Sequence, residues 1–209
     1  MKVEHIYTST LPCRTLAESI AYLARVSNPS NQDNDATAER LISYLLKHRH
    51  WSPFEMFDMI LEVETSRAIS AQIIRHRSFS FQEFSQRYAE VQHYEPVEFR
   101  MQGETKQGGE ELADIANELQ KLLDDNLIVA NSLYHHLITQ GISRESARMV
   151  LPMCTRTRLF MKGSIRSWIH YIQVRTHPDT QKEHRQIAEM AKQILIEQLP
   201  QIKNHLNNE

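Results

Sequence analysis

Residues 57–65, FDMILEVET, alternate apolar and polar side chains, so Phe57, Met59, Leu61 and Val63 fall on one side. A period of two belongs to an extended strand with one buried face. The opening KVEHIYT and the later TRTRLFMKG also read as extended. Elsewhere the apolar period lengthens to that of a helix. Leu16, Ile20 and Leu23 share one face, as do Leu41, Leu45 and Leu46. In SRAISAQIIRHR, Ile69, Ile73 and Ile74 lie opposite Gln72 and Arg75, with His76 at the border. A long helix is predicted over 110–139 from Leu112, Ile115, Leu119, Leu122 and Leu123. In SIRSWIHYIQVR, Ile165, Trp168, Ile169 and Ile172 form the apolar stripe, with Arg166, His170 and Gln173 opposite. A last helix over 181–198 is predicted to bury Ile187, Met190, Ala191, Ile194 and Leu195.

Breakers divide these segments. SNPSNQDND is a polar loop, with Asp35 expected as N-cap of the second helix. Pro53 makes a helix unfavourable in HRHWSPFE and biases Ser52 to extended backbone. In VQHYEPVEFRMQGETKQGGE, Pro96 points to an edge strand that runs into the only glycine-rich stretch, expected as a mobile loop. Gly141 should end the long helix, Ser143 cap the short one that follows, and Pro152 stop it. No repeat and no linker interrupts the pattern, which predicts one α+β domain over residues 1–209.

A chain of 209 residues can bury a sizeable core. Its formal net charge is −2, without the basic excess that non-specific nucleic-acid binding requires. The start lacks an apolar leader and no apolar run is long enough to span a bilayer, so a soluble, cytoplasmic protein is expected. Cys13 and Cys154 are too few for a disulfide framework, and no spacing suggests structural zinc. The cations are 16 Arg against 8 Lys, a bias towards forked oxyanion contacts. Neither a dinucleotide-binding glycine fingerprint nor a phosphate-binding P-loop is present, so any nucleotide must be held by arginines, serines and helix ends.

The densest chemistry lies in RHRSFSFQEFSQRY, residues 75–88. Arg75 and Arg77 flank His76 and imply an anionic partner, part of which Glu83 could supply; a solvated basic helix end is the plainer alternative. Ser85 and Arg87, two apart, would share one side of an extended segment and could grip one phosphate. His48 and His50 lack a third ligand at metal spacing, and His135 and His136 diverge on a helix surface. Cys154 near Arg156 and Arg158 could be an activated nucleophile, though no orienting base accompanies it. Arg148, set among apolar neighbours, reads as a buried guanidinium needing an anion or a structural salt bridge.

In R-H-R followed by seven residues and then Ser85, ending in Arg87-Tyr88, the sequence resembles the flavin-dependent thymidylate synthases. HRHWSPFE, SRESARMVLP and GSIRSWIHYIQVRTHPDTQKEHRQIA are similar to further blocks of that family, in its order. The resemblance implies reductive methylation of dUMP to dTMP, with methylenetetrahydrofolate giving the carbon and NADPH reducing FAD. It implies a single-domain sandwich of a mainly antiparallel twisted sheet flanked by helices. The assembly would be a homotetramer with active sites shared between subunits. Ser52, Arg75, His76, Arg77 and Glu83, with His50 beside them, match flavin contacts, as do Ser164, Ile165, Arg166 and His170. Gln72, Arg75, Glu83, Phe84, Ser85, Gln86, Arg87, Arg148 and Arg175 match the nucleotide site. Arg175 matches the catalytic arginine at the uracil, where a fixed cation stabilises charge developing on the ring. Gln82, Ser164 and His170 stand where relatives often carry Asn, and Asp179 where many carry His. The alternatives are a non-catalytic nucleotide- or RNA-binding module that stacks bases on Phe79, Phe81 and Phe84, and an enzyme of this scaffold delivering a different one-carbon group or acting on another pyrimidine nucleotide.

Overall fold

The computed structural model describes residues 1–91, 93–103, 108–112 and 115–207. Strands are β1 (Lys2–Thr8), β2 (Asp58–Ser66), β3 (Ser80–Glu83), β4 (Arg100–Gln102), β5 (Gly108–Glu111) and β6 (Arg156–Ser164). Helices are α1 (Leu16–Ala24), α2 (Ala38–Lys47), α3 (Arg67–Ile73), α4 (Ala116–Thr139), α5 (Arg144–Ala147), α6 (Ile165–Arg175), α7 (Lys182–Gln198) and α8 (Lys203–Asn207). Helices are thus mixed with sheet, as the two periodicities predict. Four strands form a sheet in the order β1-β2-β6-β3, and β4 pairs antiparallel with β5 in a separate ribbon. The chain divides into two compact units: one comprises Met1, 64–73 and 83–159, the other 2–63, 74–82 and 160–209.

In the larger unit, Thr15 and Glu18 make a reciprocal capping box that starts α1. Helix α1 packs on α2, burying Leu16, Ile20, Ile42, Leu45 and Leu46. Helix α6 packs on α7 and buries the whole expected stripe of Ile165, Trp168, Ile169 and Ile172. Trp168 Nε1 donates to the Met59 carbonyl at 2.9 Å, so even the largest side chain of this core has its polar atom satisfied. Phe57, Met59, Leu61 and Val63 are all buried, as their alternation predicts.

Gly163 closes this core. A Cβ placed there would stand 2.5 Å from the Phe79 ring, which packs edge-on to Trp168 with centroids 4.9 Å apart. Gly163→Ala must therefore displace Phe79 from a filled site, at a cost of about 1–3 kcal/mol. A fall in melting temperature of about 2–10 °C is expected by calorimetry; an unchanged midpoint would mean that the ring has room to move.

In the smaller unit, Glu95 is buried, accepts from the Met1 amino group at 2.8 Å and pairs with Arg156 at 2.5 Å. Tyr94 bridges to Thr155. Helix α4 buries Tyr134.

The sequence reading differs from the fold in several places. The long helix begins at Ala116, and Glu110 lies in β5. Asp35 opens a short 3-10 turn, and Thr37 precedes α2 without a side-chain cap. Helix α3 ends at Ile73, leaving Ile74 exposed, because the backbone turns before the basic motif begins. Met190 and Ile194 are only partly covered, while His184, polar by type, is buried. The expected glycine-rich loop falls partly on residues 104–107, outside the described residues.

Candidate functional site

The HRHWSPFE segment is shaped by an abrupt helix end. Arg49 takes a left-handed conformation (φ 55°), with His50 N–H bonding to the Leu45 carbonyl at 2.9 Å and Arg49 N–H to that of Leu46 at 3.2 Å. This double bond pattern ends α2 as a glycine usually would. It releases His50 and Ser52, both exposed, ahead of the 3-10 turn Ser52–Glu55. Glu55 then meets the start of α6: Ser164 Oγ donates to its Oε2 at 2.8 Å, and Arg166 Nη1 to its Oε1 at 2.7 Å. Ser164 also accepts from the Ser167 amide at 3.2 Å, acting as N-cap of α6.

Above this knot lies a cavity of about 370 Å³ walled by Trp51, Glu55, Ser78, Arg166, Ser167 and His170. It combines the Arg166–Glu55 ion pair, two hydroxyls and an aromatic wall, a mixed lining with hydroxyl donors and a stacking face. Ile165, by contrast, is fully buried, so its side chain serves the core. Among the described residues no group of three or more His, Cys, Asp or Glu side chains is placed to hold a metal ion.

Farther along α6, Arg175 Nε donates to His76 Nε2 at 2.8 Å, linking the basic motif to the helix end. The imidazole must be unprotonated at Nε2 to accept this bond. Burial, then the charges of Arg175 and His170, push the His76 pKa down to about 4. His76 packs edge-on to Tyr171 with centroids 5.0 Å apart, and the Tyr171 hydroxyl meets His184 Nε2 at 3.1 Å. Burial, reinforced by Arg175 and His76, pushes His184 down to about 3. Arg75 and Arg77 are exposed and without an ion-pair partner among the described residues.

Two depressed histidines fix the sign of an acid response. The unfolded chain takes up their protons near pH 6.5, the folded protein only near 4 and 3, so stability falls as pH drops below about 6.5. A declining melting temperature between pH 6.5 and 5, where carboxylates remain ionised, is the expected result; a flat profile there would contradict buried neutral imidazoles.

The other half of the motif lies in the smaller unit. Glu83 Oε1 accepts from Arg67 Nη1 at 2.6 Å, Ser70 Oγ at 2.6 Å and Thr157 Oγ1 at 2.9 Å. Its partner is therefore Arg67, not the arginines of the motif. Ser85 and Arg87 do not share an extended side: β3 ends at Glu83, and the Ser85 hydroxyl accepts from the Arg87 amide at 3.4 Å in a turn. Arg87 projects outward over the Tyr88 ring, 5.3 Å from its centroid. Gln86 is buried with its Nε2 lacking a hydrogen-bond partner. Phe84 and Gln72 are half-buried. Arg148 is half-buried rather than enclosed, so burial does not by itself demand an anion there. Cys154 is no activated thiolate: burial raises its pKa.

The profile of the family described as thymidylate synthase complementing protein matches residues 13–201. The chain belongs to the flavin-dependent thymidylate synthase family. It is 44% identical over 201 residues to a probable flavin-dependent thymidylate synthase of Paramecium bursaria Chlorella virus 1, covering 92% of this chain and 91% of the relative. It is 45% identical over 187 residues to a flavin-dependent thymidylate synthase of Synechocystis sp., covering 88% and 86%. A crystal structure of a UMP/dUMP methylase, PolB of Streptomyces cacaoi, bound with 5-Br dUMP, superposes with a TM-score of 0.81 at 28% identity, covering 96% of this chain and 92% of that one.

Of the positions expected to depart from the family pattern, Ser164 caps α6, and His170 is exposed at the cavity wall. Asp179 stands in the exposed segment after α6, 3.3 Å from His177 Nδ1. Sequence reasoning missed Glu55, Arg67, Tyr171 and His184. Glu55 stands in the SPFE segment with no local cue to its partners on α6, and the others belong to pairs or ring contacts 13 to 95 residues apart, which periodicity cannot register.

Proposed function

We propose that the protein catalyses reductive methylation of dUMP to dTMP, with methylenetetrahydrofolate as carbon donor and NADPH, through FAD, as hydride source. The ring C–H becomes C–CH3, the NADPH hydride is taken up together with one proton from solvent, and tetrahydrofolate and NADP are left. Bound FAD supplies the relay of the hydride. Family membership across residues 13–201 supports the reading, and the Arg175–His76 bond carries it: the basic motif and the C-terminal block meet at one point.

In this reading His50, Ser52, Arg75, His76, Arg77, Glu83, Ser164, Ile165, Arg166 and His170 belong to the flavin site. Gln72, Arg75, Glu83, Phe84, Ser85, Gln86, Arg87, Arg148 and Arg175 belong to the nucleotide site. Glu83 contributes by holding Arg67, Ser70 and Thr157 in place. Arg175 stabilises negative charge on the uracil, its Nε bond to neutral His76 fixing the guanidinium. Residues 1–209 act as one functional domain in a homotetramer whose subunits share active sites. That assembly would give the exposed Arg75 and Arg77 their anionic partners.

Two results test this. The purified protein should be yellow, or become so on adding FAD; a colourless protein that binds none contradicts the reading. Arg87→Ala should raise the KM for dUMP about tenfold or more with little change in kcat, because a phosphate grip acts equally in ground and transition states; an unchanged KM removes Arg87 from the site. UMP is the second substrate to assay, since the similar methylase is named for both nucleotides.

A further inference from the structure

Beside α1 and α2, within the larger unit, lies a cavity of about 510 Å³ whose wall includes Arg25, Asn28, Asn31, Thr37, Arg40 and Tyr44. Among the described residues two arginines line it and no acidic side chain does. Arg25 is only 7% exposed. Its Nη1 donates to the Asn34 carbonyl at 2.5 Å and its Nη2 to Thr37 Oγ1 at 2.7 Å, both neutral acceptors. The loop's own acids are committed elsewhere, Asp33 and Asp35 pairing with Arg14 at 2.8 and 3.3 Å. Arg40 is exposed, and among the described residues it has no ion-pair partner.

A buried guanidinium facing only neutral acceptors is an expensive arrangement unless an anion completes it. Among the described residues two contacts engage two of the five N–H groups of Arg25, which leaves three further donors of the kind that bind a carboxylate or phosphate. A structural role alone, stapling the 28–37 loop, would explain Arg25 but not a second arginine at the same wall. Tyr44 also ties the cavity to the candidate flavin site, its ring lying 4.2 Å from His48 and 5.9 Å from His50 between centroids.

We propose that this cavity is an oxyanion subsite in which Arg25 and Arg40 hold a carboxylate or phosphate carried by a co-substrate. The inference rests on the proposed reaction, whose two co-substrates are both anionic: a reduced nicotinamide dinucleotide with a ribose phosphate, and a folate with glutamyl carboxylates. Flavin-loaded protein is titrated calorimetrically with NADPH against NADH, and with triglutamyl against monoglutamyl methylenetetrahydrofolate. In one pair the more anionic member should bind about tenfold tighter, as a charge-assisted contact gives. Arg40→Glu should abolish that preference and Arg25→Lys reduce it, with dUMP affinity within about twofold of wild type. The pair affected tells phosphate from carboxylate. Absence of preference in both wild-type pairs, or survival of the preference in Arg40→Glu, overturns the subsite. Arg40 is exposed, so its replacement does not threaten folding. Formation of dTMP by the same wild-type preparation separates the two failures: activity with an unaltered preference sinks the subsite alone, and inactivity sinks the proposed reaction.

Discussion

Arg175→Ala is expected to lower dTMP formation by about 10²–10³-fold while the protein still binds flavin. Arg175 ends α6, where its Nε is fixed by His76, and in the proposed reaction the rest of its fork meets the substrate. Removing a preorganised cation takes away an interaction that grows as charge develops, so kcat should fall more than KM changes. Arg175→Lys should recover little, because a point charge cannot both donate to His76 and present a fork. Steady-state rates together with the flavin spectrum check this. Equal losses of flavin and activity would mean that Arg175 is a structural residue.

Glu83→Ala should strongly destabilise the smaller unit. It strips one acceptor from three donors, and leaves the half-buried Arg67 guanidinium without its carboxylate. A loss of about 2–4 kcal/mol follows, less than for a wholly buried pair because Arg67 keeps some access to water. The melting temperature of the ligand-free protein should drop by about 5–15 °C. Glu83→Gln should lose less, since an amide oxygen can still accept. Ligand-free stability unchanged in Glu83→Ala would return Glu83 to a purely ligand-binding role.

The fate of Glu83 shows what the sequence made legible. Its importance was readable from the motif, but its partner Arg67 lies 16 residues earlier on another element, and no local pattern announces the pair. Strand β2 was legible because a strict two-residue rhythm has one physical solution. Helix α6 was legible from its apolar stripe, yet Tyr171, fully buried, was not singled out. His184 failed for a different reason: an imidazole reads as polar until a tyrosyl hydroxyl and a buried setting keep it neutral. The Ser85–Arg87 turn was misread because two-residue spacing suits a strand equally well. Resemblance, more than periodicity, pointed to the blocks around His76 and Arg175, and the fold then set them in contact.

The most direct measurement is the mass of the nucleotide product. Purified protein is incubated with dUMP, FAD, methylenetetrahydrofolate and NADPH. Conversion of dUMP to a species carrying one methyl in place of a ring hydrogen, with NADPH consumed, is the predicted result. Recovery of unmodified dUMP from flavin-loaded protein with all co-substrates present would contradict the account.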